Sequence, residues 1–256
     1  MRLGNSIFLS FPVLILGLFL STVPVLAEPG FVVDSDGKRW EGDVRTDSGG
    51  LITVMADNDK DKTNRFNPGR YRYAMIRKPP EVSGLEAALA AKRLSDIREK
   101  AGSLYRKYRY LGWADLICYC EGMALLQGGD PKEAEDAFAR GVKALGDQGE
   151  NHDRCRLGQV LAWQKQNKRD EAHQELMDLV RSPTPSVAMT ALTLRAQDFE
   201  KQGDKRAAAA DYLKIVLCFK DPADKKNDDR AAAKQAAIRL LQELKESKRA
   251  KTLEAL

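Results

Sequence analysis

The chain is poor in the residues and motifs on which most enzyme chemistry depends. Its 256 residues include only two histidines and four scattered cysteines. No glycine-rich phosphate loop follows a predicted strand, and no Gly-x-Ser-x-Gly sequence occurs. His152 and His173 have neither a nucleophile nor a set of metal ligands nearby in the sequence. We therefore predict a protein that is not an enzyme, with no catalytic residue and no metal or cofactor.

A strong excess of charge is also lacking. Arg2 accounts for one unit of the formal net charge of +5, which leaves +4 for the chain after residue 27. That value is too small to predict nucleic-acid binding. Basic residues are mostly interleaved with acidic ones, as in Lys60-Asp61-Lys62 and Lys205–Asp211, a pattern typical of solvated helix faces and loops.

Long apolar runs are confined to the N-terminus. Arg2 precedes the apolar run Ile7–Leu20, and the small-residue pattern Val25-Leu26-Ala27 ends before Glu28. This order predicts a signal peptide over residues 1–27 and a periplasmic or secreted protein. An uncleaved anchor is the alternative, since the run approaches the roughly 20 residues that span a bilayer. After cleavage we expect no stable membrane span.

The cysteines do not form the compact framework of a small disulfide-rich protein. Cys118 and Cys120 lie two residues apart, whereas Cys155 and Cys218 follow much later in apolar, helical surroundings. Buried free thiols are the main interpretation. A bridge from Cys118 or Cys120 to Cys155 is the alternative, so the disulfide status of all four stays open.

Residues 28–80 have the short alternating runs of a small β-domain. Trp40, Gly42 and Val44 fall on one face of a predicted strand, and 51–55 and 70–76 predict two more, with 57–64 as a loop. The patterns Gly-x-x-Trp-x-Gly-x-Val and Gly-x-Ile-x-Val resemble SH3-like bacterial barrels. We therefore predict a small antiparallel β-barrel. Its aromatic residues would line a peptide or cell-wall groove, or else pack in the core: Trp40, Tyr71 and Tyr73.

After Pro79-Pro80 the apolar residues recur every three or four positions, as in amphipathic helices. Residues 81–111 are predicted to form one long linking helix. Its segment Lys92–Arg109 is rich in basic residues, which predicts either an exposed helix face or a contact with an anionic polymer.

Three helical hairpins are predicted over residues 112–222. Each hairpin has a small residue where its two helices cross, and four positions later a large one that fills the gap between hairpins. The small residues, 38 and 36 positions apart, are Ala134, Ala172 and Ala208. The large residues are Phe138, Leu176 and Tyr212, and the small or slender positions on the first helices are Gly122, Val160 and Ala196.

This pattern resembles the tetratricopeptide repeat (TPR) family, although the family's usual spacing is about 34 residues. The resemblance implies a stack of hairpins with a concave binding surface. Tyr119 and Met123 stand where family members that clamp acidic tails have lysine and asparagine, which disfavours that clamp. We predict instead an apolar partner-binding face formed by Leu116, Tyr119, Met123 and Leu126, unless the preceding helix covers it.

Together these patterns predict an α+β multidomain chain. Its parts are a signal peptide (1–27), an SH3-like barrel (28–80), a long helix (81–111), three TPR-like hairpins forming an all-α solenoid (112–222), and a C-terminal capping helix with a fraying tail (223–256). The predicted function is that of a non-enzymatic envelope scaffold that binds a protein or peptide partner. The alternative is a module that binds cell wall or surface polymer through the barrel and the basic helix.

Overall fold

The computed structural model describes residues 28–56, 59–145, 149–219 and 229–255, and the predicted signal peptide lies outside them. In this part of the chain, an antiparallel five-stranded sheet precedes ten helices, which makes the fold α+β. No helix in the described segments is long and apolar enough to cross a membrane.

The sheet has the strand order β4-β3-β2-β1-β5. Its strands are β1 (Glu28–Asp34), β2 (Arg39–Thr46), β3 (Ile52–Ala56), β4 (Asp59–Phe66) and β5 (Tyr71–Ile76). Since β4 and β5 lie at opposite edges, the sheet is open, and the prediction of a closed barrel is wrong. Helices cover its inner face, so the strands do not have to close on one another to bury it.

Strand β4 occupies most of the segment that was predicted to be a loop. It pairs with β3 from Ile52↔Phe66 to Ala56↔Asp59. Its charged sequence, Asp-Lys-Asp-Lys-Thr-Asn-Arg-Phe, lacks the alternation that identifies strands. Charged residues are typical of edge strands, where they discourage pairing with other chains.

The sheet and the first three helices share one core. These helices are α1 (Pro80–Ala90), α2 (Leu94–Tyr108) and α3 (Ala114–Gln127). Val32, Val44 and Ile52 from the sheet are fully buried in the same cluster as Leu85 and Ile117 from the helices. The composition change at Pro79-Pro80 therefore marks the switch from strands to helices and does not separate two cores.

Two helices replace the single long helix that was predicted for residues 81–111. Lys92 has φ 56°, in the left-handed region that interrupts a helix. The Arg93 N–H then donates to the Ala88 carbonyl oxygen (2.8 Å), which ends α1. Because neither glycine nor proline marks this reversal, the apolar periodicity runs through it unbroken.

Six helices occupy residues 112–222, two for each of the three predicted hairpins. After α3 these are α4 (Pro131–Leu145), α5 (His152–Lys165), α6 (Arg169–Leu179), α7 (Pro185–Gln202) and α8 (Lys205–Cys218). The three crossing alanines and the three large residues after them are all buried. Both sets therefore pack inside the helical part, as their spacing predicted.

Two further helices end the described chain: α9 (Asp229–Glu243) and α10 (Ser247–Glu254). The tail was predicted to fray, and this was wrong for α10. Ala250 and Leu253 are buried and join the core of α8 and α9. The turn before α10 contains Lys245 at φ 62°, again without a glycine to signal it.

Three of the cysteines are buried and free, and Cys218 is exposed. Burial raises the pKa of Cys118 to about 11 and that of Cys120 to about 12, and it raises the pKa of Cys155 as well. Cys118 and Cys155 both lie beside Gly141, in space that a larger residue there would take.

We expect a polar alkylating reagent at pH 8 to modify Cys218 alone in the reduced, folded protein, and all four cysteines after unfolding. The reason is that burial excludes the reagent and disfavours the thiolate at the other three sites. Intact mass gives the count, and Cys218→Ser should leave the folded protein unmodified. More than one modification in the folded state would contradict the burial. Two free thiols in the unreduced, unfolded chain would reveal a disulfide.

Candidate functional site

A groove of about 260 Å³ lies across the first helices of the three hairpins, α3, α5 and α7. Two turns of α5 lie between shorter segments of α3 and α7. The lining residues are Tyr119, Met123, Arg154, Leu157, Gly158, Leu161, Ser186, Val187 and Thr190. Apolar side chains thus predominate, and Arg154 supplies a charge.

Phe138 of α4 sets how closely α3 and α5 approach each other. Its ring is fully buried between Gly122 of α3 and Gly158 of α5. A methyl group at Gly122 would lie 2.5 Å from the ring, and one at Gly158 would overlap it. Since neither glycine has a side chain, the ring fits between the two helices.

Two of the four predicted partner-binding residues line the groove, namely Tyr119 and Met123. Leu116 does not line the groove, because it is only 2% exposed in the core shared with the sheet. Leu126 packs beside the core around Phe138 and lies outside the groove. The four share one stripe of α3, but α1 and α2 also pack against that helix.

Three further residues line the groove and were not predicted from the sequence: Leu157, Leu161 and Arg154. Leu157 and Leu161 are four residues apart on α5, the spacing that places side chains on one helix face. The same test that selected Tyr119 and Met123 on α3 would have found them. For Arg154 the sequence contains no comparable signal. Arg156, two residues further on, is equally basic, and the sequence does not show which of the two faces the groove.

Tyr119 forms the aromatic side of the groove and lies near both Arg154 and the buried Phe138 ring. The guanidinium of Arg154 lies 4.6 Å from the Tyr119 ring centroid, and Phe138 lies 6.4 Å away from Tyr119. Burial raises the pKa of the Tyr119 hydroxyl, and the positive charge of Arg154 opposes this effect. Tyr119 is therefore neutral at physiological pH and presents Arg154 to the groove.

Asp115 positions the start of α5. Its carboxylate is buried and accepts hydrogen bonds from the backbone N–H of Leu116 (2.7 Å) and of Asn151 (2.8 Å). Asn151 precedes α5, and its side-chain oxygen accepts a hydrogen bond from Arg154 Nη1 at 3.0 Å. A buried carboxylate on α3 thereby fixes the loop that aligns Arg154.

The three aromatic residues of the predicted barrel groove do not form one surface. Trp40 lies on the covered face near Phe66, and its Nε1 donates to Asp34 (2.8 Å). Tyr71 packs against the core and donates its hydroxyl to the Gly50 carbonyl oxygen (2.9 Å). Tyr73 pairs with Val33, one residue out of step with the Val32↔Trp40 pair, so it lies on the opposite face.

Much of the basic charge on α2 is paired. Arg93 pairs with Asp96 (3.0 Å), Arg98 with Asp130 (2.9 Å) and Lys107 with Glu81 (3.0 Å). In addition, Arg109 Nη2 donates a hydrogen bond to the Ser48 carbonyl oxygen (2.8 Å). These carboxylates reduce the local excess of positive charge that an anionic polymer would meet.

Comparison with protein-family models, with curated proteins and with solved structures gives no match to this chain. Among the described residues, no three His, Cys, Asp or Glu side chains are grouped as ligands for a metal ion. The groove across α3, α5 and α7 is therefore the candidate functional site.

Proposed function

We propose that this chain is a non-enzymatic, exported adaptor of the cell envelope that binds an apolar segment of a protein partner in the groove across α3, α5 and α7. The observation that carries the proposal is the common lining of this groove by the first helices of three successive hairpins. A surface of this kind suits an extended or helical segment with apolar side chains.

The hairpin architecture supports this proposal. Each of α3, α5 and α7 contributes side chains to one surface, while α4 packs behind α3 and α5 through Phe138. The resemblance to TPR proteins supports the same kind of function, as does the apolar N-terminal segment for export. The sheet, which shares a core with α1 to α3, would serve to hold the first hairpin in place.

The proposal is tested by the double change Met123→Gln/Leu161→Gln. Both side chains line the groove and are partly exposed, so the variant should fold. We expect the unchanged protein to capture a discrete partner from an envelope extract, and the variant to lose at least about tenfold in affinity, since two apolar contacts are removed. Fluorescence anisotropy with the partner's binding segment measures the affinity.

Leu217→Gln is the matched control. Leu217 is 64% exposed on α8, beyond the groove, so its change also removes an accessible leucine but should leave binding intact. Circular dichroism checks that both variants fold. If only cell-wall material is captured, and the groove variant captures it equally well, the adaptor proposal is wrong and the polymer-binding alternative gains support.

A further inference from the structure

Arg154 has no acidic partner among the described residues, in contrast to three other arginines of the hairpins. Arg140 pairs with Glu121, and Arg195 pairs with Asp211. Arg156, two positions along α5, contacts Asp153, Glu175 and Asp178. For Arg154 the neighbours are the Tyr119 ring and the neutral side chain of Asn151.

The geometry around Arg154 leaves donors available to a ligand. Nη1 donates to the side-chain oxygen of Asn151, and the guanidinium lies 4.6 Å from the centre of the Tyr119 ring. A guanidinium has five N–H donors, and its planar fork matches the two oxygens of a carboxylate. The remaining lining residues are uncharged, so an anion in the groove meets a single cation and no competing carboxylate.

Leu157 and Leu161 set the spacing of the ligand's other contacts. At 1.5 Å of rise per residue, they lie about 5 Å and about 10 Å along α5 from Arg154. In an extended peptide, side chains on one face are about 7 Å apart, because alternate residues face the same way. If an acidic residue of the peptide binds Arg154, the peptide residue two positions away therefore lies between Leu157 and Leu161 along α5.

On the basis of the proposed function, we infer that the groove selects an extended segment in which an aspartate or glutamate stands two positions from a large apolar residue. Arg154 binds the side-chain carboxylate, and Leu157 and Leu161 bind the apolar side chain. The carboxylate belongs to a side chain within the segment and not to a chain terminus. Tyr119 and Met123 stand where a clamp on an acidic terminus would have lysine and asparagine.

The test uses fluorescein-labelled peptides with both ends blocked, in which leucine and serine alternate and one central leucine is replaced by glutamate or by glutamine. We expect the glutamate peptide to bind about tenfold more tightly, as a charge-assisted, two-point hydrogen bond allows. Arg154→Gln should remove this preference by weakening the glutamate peptide alone. Arg154→Lys should restore part of it, since lysine keeps the charge without the fork.

Arg206→Gln is the matched control, because Arg206 is an exposed arginine of α8 outside the groove. If both peptides bind equally to the unchanged protein and Leu161→Gln weakens both, the proposed function stands and the selectivity for an acid is wrong. If no peptide binds, both are wrong. Tighter binding of a peptide that lacks glutamate but has a free C-terminal carboxylate would assign Arg154 to a chain terminus and overturn the inference.

Discussion

Asp211→Ala should lower the free energy of unfolding by about 3–5 kcal/mol, because it leaves a charged guanidinium buried without its partner. Arg195 on α7 and Asp211 on α8 have side chains only 8% and 3% exposed. Arg195 Nε donates to one carboxylate oxygen (2.7 Å) and Nη2 to the other (2.8 Å). Urea unfolding followed by circular dichroism measures the loss.

A double variant distinguishes the net contribution of the ion pair to stability from the loss caused by removing only one partner. Arg195→Met/Asp211→Leu removes both charges and keeps apolar volume, so we expect stability near or above that of the unchanged protein. Glu41→Gln is the control, since Glu41 pairs with Arg39 at an exposed site. This change should lower the free energy of unfolding by less than about 1 kcal/mol. A small loss for Asp211→Ala would mean that water reaches Arg195 and that the pair is not buried.

The second large effect concerns the packing of Phe138. Phe138→Ala should cost about 3–5 kcal/mol, because it empties a fully buried site between α3 and α5. Gly158→Ala should cost about 1–3 kcal/mol in the unchanged protein, since the added methyl group overlaps the ring. This loss would outweigh the gain of about 1 kcal/mol that alanine normally brings to a helix.

The two changes should not be additive. Once Phe138 is alanine, the space beside Gly158 is free, so Gly158→Ala should become neutral or stabilising in that background. Gly84→Ala provides the control, because Gly84 of α1 has no heavy atom near the added methyl group, and its helix should gain stability. Equal effects of Gly158→Ala in both backgrounds would contradict the assigned packing. Thermal unfolding of the four proteins in the cycle gives the comparison.

Periodicity was informative where an element is amphipathic and its ends carry a signal. Helix α4 begins at Pro131, directly after Asp130, within the region that was predicted to form hairpins. Strand β2 alternates, and Gly42 and Val44 are buried as predicted. Strand β4 has almost no apolar residues, so its pairing with β3 could not be found by the same test.

The candidate site shows the same division. Tyr119 and Met123 were identified because α3 has an apolar stripe, but the stripe does not reveal that Leu116 is buried in the core shared with the sheet. Arg154 and Arg156 are equally basic in the sequence. Only the tertiary structure shows that Arg154 lines the groove, whereas Arg156 contacts three carboxylates.

By itself, the sequence determined the α+β class, the positions of the six hairpin helices and the small residues at their crossings. These features depend on local periodicity and on turn residues that act within a few positions. The tertiary structure decided that the sheet is open, that residues 80–108 form two helices and that Asp211 is buried with Arg195. Each of these depends on groups that are distant in sequence, because burial and pairing arise only when separate elements pack together.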